Sequence, residues 1–161
     1  MRQKRNNKGF SLVELIVVIA IMIVLVAVLA PVFTKYVEQS RRATDVQNAN
    51  SIAEAVLTDA TDGTLDAALA DATNSGYTSK GGVITGVVKK GYPTAIQSAP
   101  VSKGDAVAKG ASFTFEYTKD SNTVVVYVTG DTSKTNLTDE AAAQAYKDDK
   151  TSADNKVGAG E

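Results

Sequence analysis

The sequence predicts an α+β protein: a long N-terminal helix, membrane-spanning in its first half, packed by its second half against a small antiparallel β-sheet. Three observations predict it. From Leu15 to Phe33, 19 consecutive positions carry no charge, enough for a membrane helix of about 20 apolar residues. Beyond that run Val46, Ala49, Ala53, Val56, Leu57 and Ala60 recur at spacings of three and four, an apolar stripe with polar residues opposite. Further on, Phe113, Phe115 and Tyr117 alternate with polar residues, and a β-branched run follows after a four-residue turn.

Taken in order, residues 1–9 are polar and basic: Arg2, Lys4, Arg5 and Lys8 precede the apolar run and no acid does. Positive charge on that side keeps it cytoplasmic, so the run crosses outward. An ordinary secretory signal fits less well, because the run exceeds a signal core of about 7–15 residues and Pro31 follows the small-residue stretch Val28-Leu29-Ala30. A plain membrane anchor leaves Glu14 without a purpose. A carboxylate in a hydrocarbon-facing helix costs about 2.5–3.5 kcal/mol on insertion scales, which makes Glu14 a functional candidate. Pro31 lacks an N–H and crowds the carbonyl of Ala27, so it bends the helix. Helix formers and the apolar stripe continue past it to Thr61, predicting one helix over 10–61, about 78 Å long at 1.5 Å per residue, kinked at Pro31.

Gly63 stops that helix, and Thr64 is placed to cap a short one from Leu65 to about Ala72. Asp59, Asp62, Asp66 and Asp71 read as a solvated acidic face. Asn74 to Gly82 is turn chemistry. Lys89 to Gly110 holds two of the three prolines and reads as a loop with room for a short element near Ala95–Gln97. Ser112–Thr118 and Thr123–Thr129 form a hairpin around Lys119–Asn122. A lone hairpin is marginal, so a third strand is needed, and Val83–Val88 is the available run. The aromatic face of this sheet must bury against something, and the stripe of the long helix is the partner. Thr138 is placed to cap a last helix from Asp139 to about Lys147, acids first and Lys147 late, as the helix dipole favours. Residues 148–161 are small and polar, a tail.

Lys8-Gly9-Phe10, Glu14 four residues on, and then a long apolar helix with Pro31 resemble the type IV pilin family and its pseudopilin relatives. The resemblance covers roughly the first third of the chain. It implies that prepilin peptidase cuts between Gly9 and Phe10, and that the new Phe10 amine is N-methylated. It implies a chain in three parts: leader 1–9, membrane and assembly segment 10–33, and head domain 34–161. It further implies a subunit first held in the cytoplasmic membrane with its head outside. A platform protein and an assembly ATPase then draw it into a helical filament at the cell surface. There Glu14 would pair with the Phe10 amine of a neighbouring subunit. Many Gram-negative pilins close a C-terminal loop with a disulfide, and this chain has no cysteine; a Gram-positive or pseudopilin-like member fits better. Ile23 stands where many pilins carry glycine.

Composition narrows the function classes. The four bases before Phe10 contribute +4 to a net charge of −1, leaving −5 for the remainder, so there is no electrostatic reason to expect nucleic-acid binding. Histidine and cysteine are both missing, and with them the usual imidazole base and thiolate nucleophile. No phosphate-binding loop or nucleophile–base set appears, so no enzymatic activity and no cofactor are expected. Asp120, Asn122, Asp131 and Asp139 lack the spacing of a calcium-binding EF-hand and read as turn residues. The expected role is a pilus subunit serving adhesion, motility or DNA uptake. The alternatives are a pseudopilin of a secretion or competence system and a membrane-stalked binding module.

Overall fold

The computed structural model describes residues 10–70, 77–104, 107 and 109–148. The chain divides into two compact units, Met1–Tyr36 and Val37–Glu161. Helix α1 (Leu12–Thr61) belongs to both.

In the first unit the apolar side chains of α1 from Leu12 to Phe33 are exposed. The mean hydropathy of the best 18-residue window is 3.4, which meets the length and composition of a membrane span. Pro31 lies inside α1 without ending it. Proline removes one main-chain donor, and the Thr34 hydroxyl donates to the Pro31 carbonyl at 3.0 Å.

The second unit has its own core. Four strands, β1 (Tyr77–Lys80), β2 (Val83–Val87), β3 (Phe113–Thr118) and β4 (Thr123–Val128), form one sheet in that order, every neighbour antiparallel. Phe113, Phe115 and Tyr117 point inward as their alternation predicts. They meet Ile84 of β2, Val124, Val126 and Val128 of β4, and Ala49, Ile52 and Val56 of α1 in one hydrophobic cluster. Full burial of a Val, Ile or Phe contributes about 1.5–3 kcal/mol, so these side chains fasten the second half of α1 to the sheet. Val46, Ala53, Leu57 and Ala60 flank the cluster, partly buried. The expected stripe is thus the right face of α1, but its centre passes through Ile52.

The structure corrects several local readings. Tyr77–Lys80, read as part of a turn, is strand β1. Gly81 and Gly82, with φ of 59° and 78°, make the two-residue hairpin turn to β2; positive φ at both positions suits the strand twist. Asn74–Gly76 lie outside the described residues. Around Ala95–Gln97 there is one turn, closed by Ile96 N–H on the Pro93 carbonyl at 2.9 Å, and no helix. Helix α2 (Thr64–Ala70) starts from Gly63, whose carbonyl accepts from the Ala67 amide at 3.1 Å, and the Asp62 carboxylate accepts from the Thr64 amide at 2.9 Å; Thr64 itself is not the cap. Helix α3 (Glu140–Asp148) is capped by Asp139, whose Oδ1 accepts from the Ala142 amide at 2.9 Å. Thr138 instead donates its hydroxyl to the Val124 carbonyl. Asp59, assigned to a solvated face, is buried and accepts from the Thr94 amide at 2.8 Å. Asp62 and Asp66 are exposed, the latter paired with Lys119, and Asp71 lies outside the described residues. Arg42 and Asp45 are also fully buried on α1, a pair the apolar pattern does not reveal.

Candidate processing and assembly segment

The candidate site is the front of α1. The last residue before helix geometry begins is Ser11, whose carbonyl accepts from the Leu15 amide at 3.2 Å. Ser11 therefore stands at the N-cap, and Glu14 is the third helical residue. The Glu14 carboxylate turns back and accepts from the Ser11 amide at 2.9 Å. This is the carboxylate half of a capping box, in which an acid three residues into a helix satisfies a main-chain donor that has no helical partner. The spacing Ser11-Leu12-Val13-Glu14 is the sequence signal for it.

Phe10 is the most exposed large apolar residue in the described chain, at 89%. It lies one residue before the N-cap, outside the helix, with its side chain exposed. Gly9, the expected cleavage residue, and the bases Arg2, Lys4, Arg5 and Lys8 lie outside the described residues. Phe10 and Glu14 share one end of the helix, and the hydrogen bond made by Glu14 goes to Ser11. Pro31 sits near the far end of the same exposed apolar surface.

Elsewhere several of the polar turn and sheet residues serve the structure. Asp131 accepts from the Ser133 amide at 2.9 Å and the Thr135 amide at 2.8 Å. Asn122, at φ 51°, accepts from the Tyr117 hydroxyl at 3.1 Å. On the outer sheet face Lys134 pairs with Glu116, which also accepts from the Tyr127 hydroxyl at 3.1 Å. The Lys134 hydrogen bond holds the Glu116 carboxyl below its ordinary range, against the opposing effect of partial burial. Among the described residues no group of three or more Asp and Glu is placed to hold a metal ion.

Residues 4–30 match the family model described as the prokaryotic N-terminal methylation motif. The chain carries a prepilin-type leader. Leaders of this class belong to type IV pilins and pseudopilins, and the match spans the Gly9–Phe10 junction, Glu14 and most of the apolar run. No curated protein and no solved structure matches the chain. The motif implies processing by prepilin peptidase, and together with the exposed apolar helix it fits a membrane-anchored protein of the pilin or pseudopilin type.

Proposed function

We propose that the chain is a structural subunit of a type IV pilus, cut between Gly9 and Phe10, methylated at Phe10 and assembled through the apolar half of α1. The observation that carries this reading is the methylation motif at residues 4–30 running straight into an exposed apolar helix. The domains follow: a leader to Gly9, an assembly segment from Phe10 to Phe33, and a head from Thr34 that supplies the filament surface. In the membrane the helix is solvated by lipid tails; in the filament the same surface packs against other copies of itself. Glu14 selects the second state. Its charge is costly in hydrocarbon by about 2.5–3.5 kcal/mol, and a neighbouring Phe10 amine relieves that cost only on assembly. Pro31, near the end of the assembly segment, bends α1 through its missing N–H and its clash with the Ala27 carbonyl.

Mass spectrometry of protein from the native host tests the processing step: the expected mature chain starts at a methylated Phe10, and a chain starting at Met1 or after Ala30 refutes it. Electron microscopy of sheared cells tests the assembly step. Long surface fibres containing the chain are expected, whereas short cell-bound assemblies would place it with the pseudopilins. Glu14→Ala should leave membrane insertion and cleavage intact and abolish fibres. Removing one member of a buried charge pair costs about 3–5 kcal/mol, over a hundredfold in each subunit's association constant. Wild-type fibre counts in that variant would refute the charge-pair role.

A further inference from the structure

Three chain segments distant in sequence converge on one buried carboxylate in the second unit. Asp45 is 0% exposed. It accepts from the Ser102 hydroxyl at 2.9 Å, the Lys103 amide at 2.7 Å, the Gly104 amide at 2.9 Å and the Tyr146 hydroxyl at 3.1 Å. Four donors match the acceptor capacity of a carboxylate. One turn earlier Arg42, also buried, donates to Glu38 at 3.1 Å and to the Tyr146 carbonyl at 3.1 Å, with its guanidinium 5.8 Å from the centre of the Tyr146 ring. The 102–104 turn reaches this depth because residue 104 is glycine. A Cβ there would lie 2.8 Å from Arg42 Cγ and 3.0 Å from Asp45 Oδ2.

This arrangement differs from an apolar contact in one respect. Apolar packing weakens gradually as segments part, whereas a shared buried carboxylate is either desolvated with its full set of donors or must be rewetted. We propose that Asp45 is a shared pin that makes the 102–104 turn and α3 release from α1 as one unit, while the sheet stays closed. The boundaries of that unit are visible in the hydrogen bonds. The Ser102 amide bonds the Ala111 carbonyl, two residues before β3, and the Leu137 amide, three residues before α3, bonds the Val126 carbonyl of β4, so the chain leading out of the turn and the chain leading into α3 stay held at the sheet when the pin opens. Asp59 holds Thr94 four helical turns further along α1, by a separate carboxylate, and lies outside the unit. The inference rests on the contacts of the second unit alone and stands whether or not the chain forms a filament.

Hydrogen exchange of the full chain in detergent micelles tests it. Tyr146→Phe keeps the ring and removes only the hydroxyl on Asp45. Exchange at the Lys103 and Gly104 amides should rise at least tenfold together with that of α3, with β3 and β4 amides unchanged. If α3 loosens while Lys103 and Gly104 stay as slow as in the parent, the coupling is refuted. Asp59→Asn should speed exchange at Thr94 and leave Lys103 and Gly104 untouched; acceleration of all three would make the whole loop the opening unit and overturn the role of Asp45.

Discussion

Gly86 is the most constrained small residue in the sheet, and replacing it tests the core directly. It sits opposite Tyr77 on one side and Phe115 on the other. The Tyr77 ring lies across it, edge-on to Phe115 at 5.4 Å and to Tyr92 at 5.8 Å. A Cβ at position 86 would stand 2.2 Å and 2.5 Å from two carbons of the Tyr77 ring and 2.9 Å from a Phe115 ring carbon. Ordinary carbon contacts begin near 3.5 Å, so in Gly86→Ala the Tyr77 ring must retreat by roughly 1.3 Å. Tyr77 is buried between two other rings and has no free direction to retreat in. Overpacking of this kind costs about 1–3 kcal/mol, offset by roughly 0.5–1 kcal/mol because alanine orders more cheaply than glycine. The expected net loss is about 1 kcal/mol, a fall in Tm of roughly 3–6 °C for a unit of this size.

Unfolding followed by tyrosine fluorescence is the assay, since the chain has no tryptophan. A second variant isolates the cause. Tyr77→Ala alone should cost about 3–5 kcal/mol, as large-to-small changes at buried aromatics do. In that background Gly86→Ala has nothing to strike and should be neutral or slightly stabilising, giving a coupling of at least 1 kcal/mol. Additive effects, or a neutral Gly86→Ala in the parent, would show that the Tyr77 ring does not lie over Gly86.

Asp139→Ala should cost about 1 kcal/mol through loss of the α3 cap, read as faster hydrogen exchange confined to α3, while Thr138→Ala leaves the first turn of α3 protected; the opposite result would return the cap to Thr138. The Glu116 carboxyl is held low chiefly by Lys134, so its contribution to stability is present above the ordinary carboxylate range and is lost as pH falls through the lowered folded value. Lys134→Ala should move the Glu116 titration upward by NMR, and Glu116→Gln should flatten the acid limb of the stability curve; an unmoved titration would refute the pairing.

What the sequence shows most clearly is periodicity. Strand β3 repeats at two residues and the second half of α1 at three and four, because each has one face that must be dry; the first half of α1 and strand β4 are legible instead as an unbroken apolar run and a β-branched run. Strand β1 has only Tyr77 buried among its four residues, so it offers no period, and its one legible mark is the Gly81-Gly82 turn that follows it. The buried Arg42, Asp45 and Asp59 were unreadable for a related reason. Polar residues on a helix default to solvent, and their burial depends on hydrogen-bond partners from 35 to 104 residues away. The cap of α3 falls on Asp139 and not Thr138 because the two are chemically equivalent candidates that only the backbone distinguishes. At the front of α1 the leader motif marks Phe10 and Glu14 as candidate site residues, while the bond from the Ser11 amide to Glu14 is carried only by the spacing of those two residues at the helix start.

That second partner changes what a substitution at position 14 means. The Glu14 carboxylate bonds the Ser11 amide at 2.9 Å, and an unpaired amide at a helix start in hydrocarbon costs several kcal/mol. The acid that raises the insertion cost by its charge therefore lowers it by satisfying the backbone. Under the proposed function the same oxygens also receive the methylated Phe10 amine of a neighbouring subunit. The two roles separate by chemistry: capping needs an acceptor and pairing needs a charge. Glutamine serves at this capping position as glutamate does, so Glu14→Gln should keep the helix start and lose the attraction, whereas Glu14→Ala loses both. Insertion assays should then rank Gln as easier than Glu, with Ala's gain reduced by its bare Ser11 amide. Fibre counts should fall for Gln and Ala alike if charge governs assembly. Full fibre numbers in Glu14→Gln together with none in Glu14→Ala would mean that the capped helix start, and not the charge, is what assembly requires.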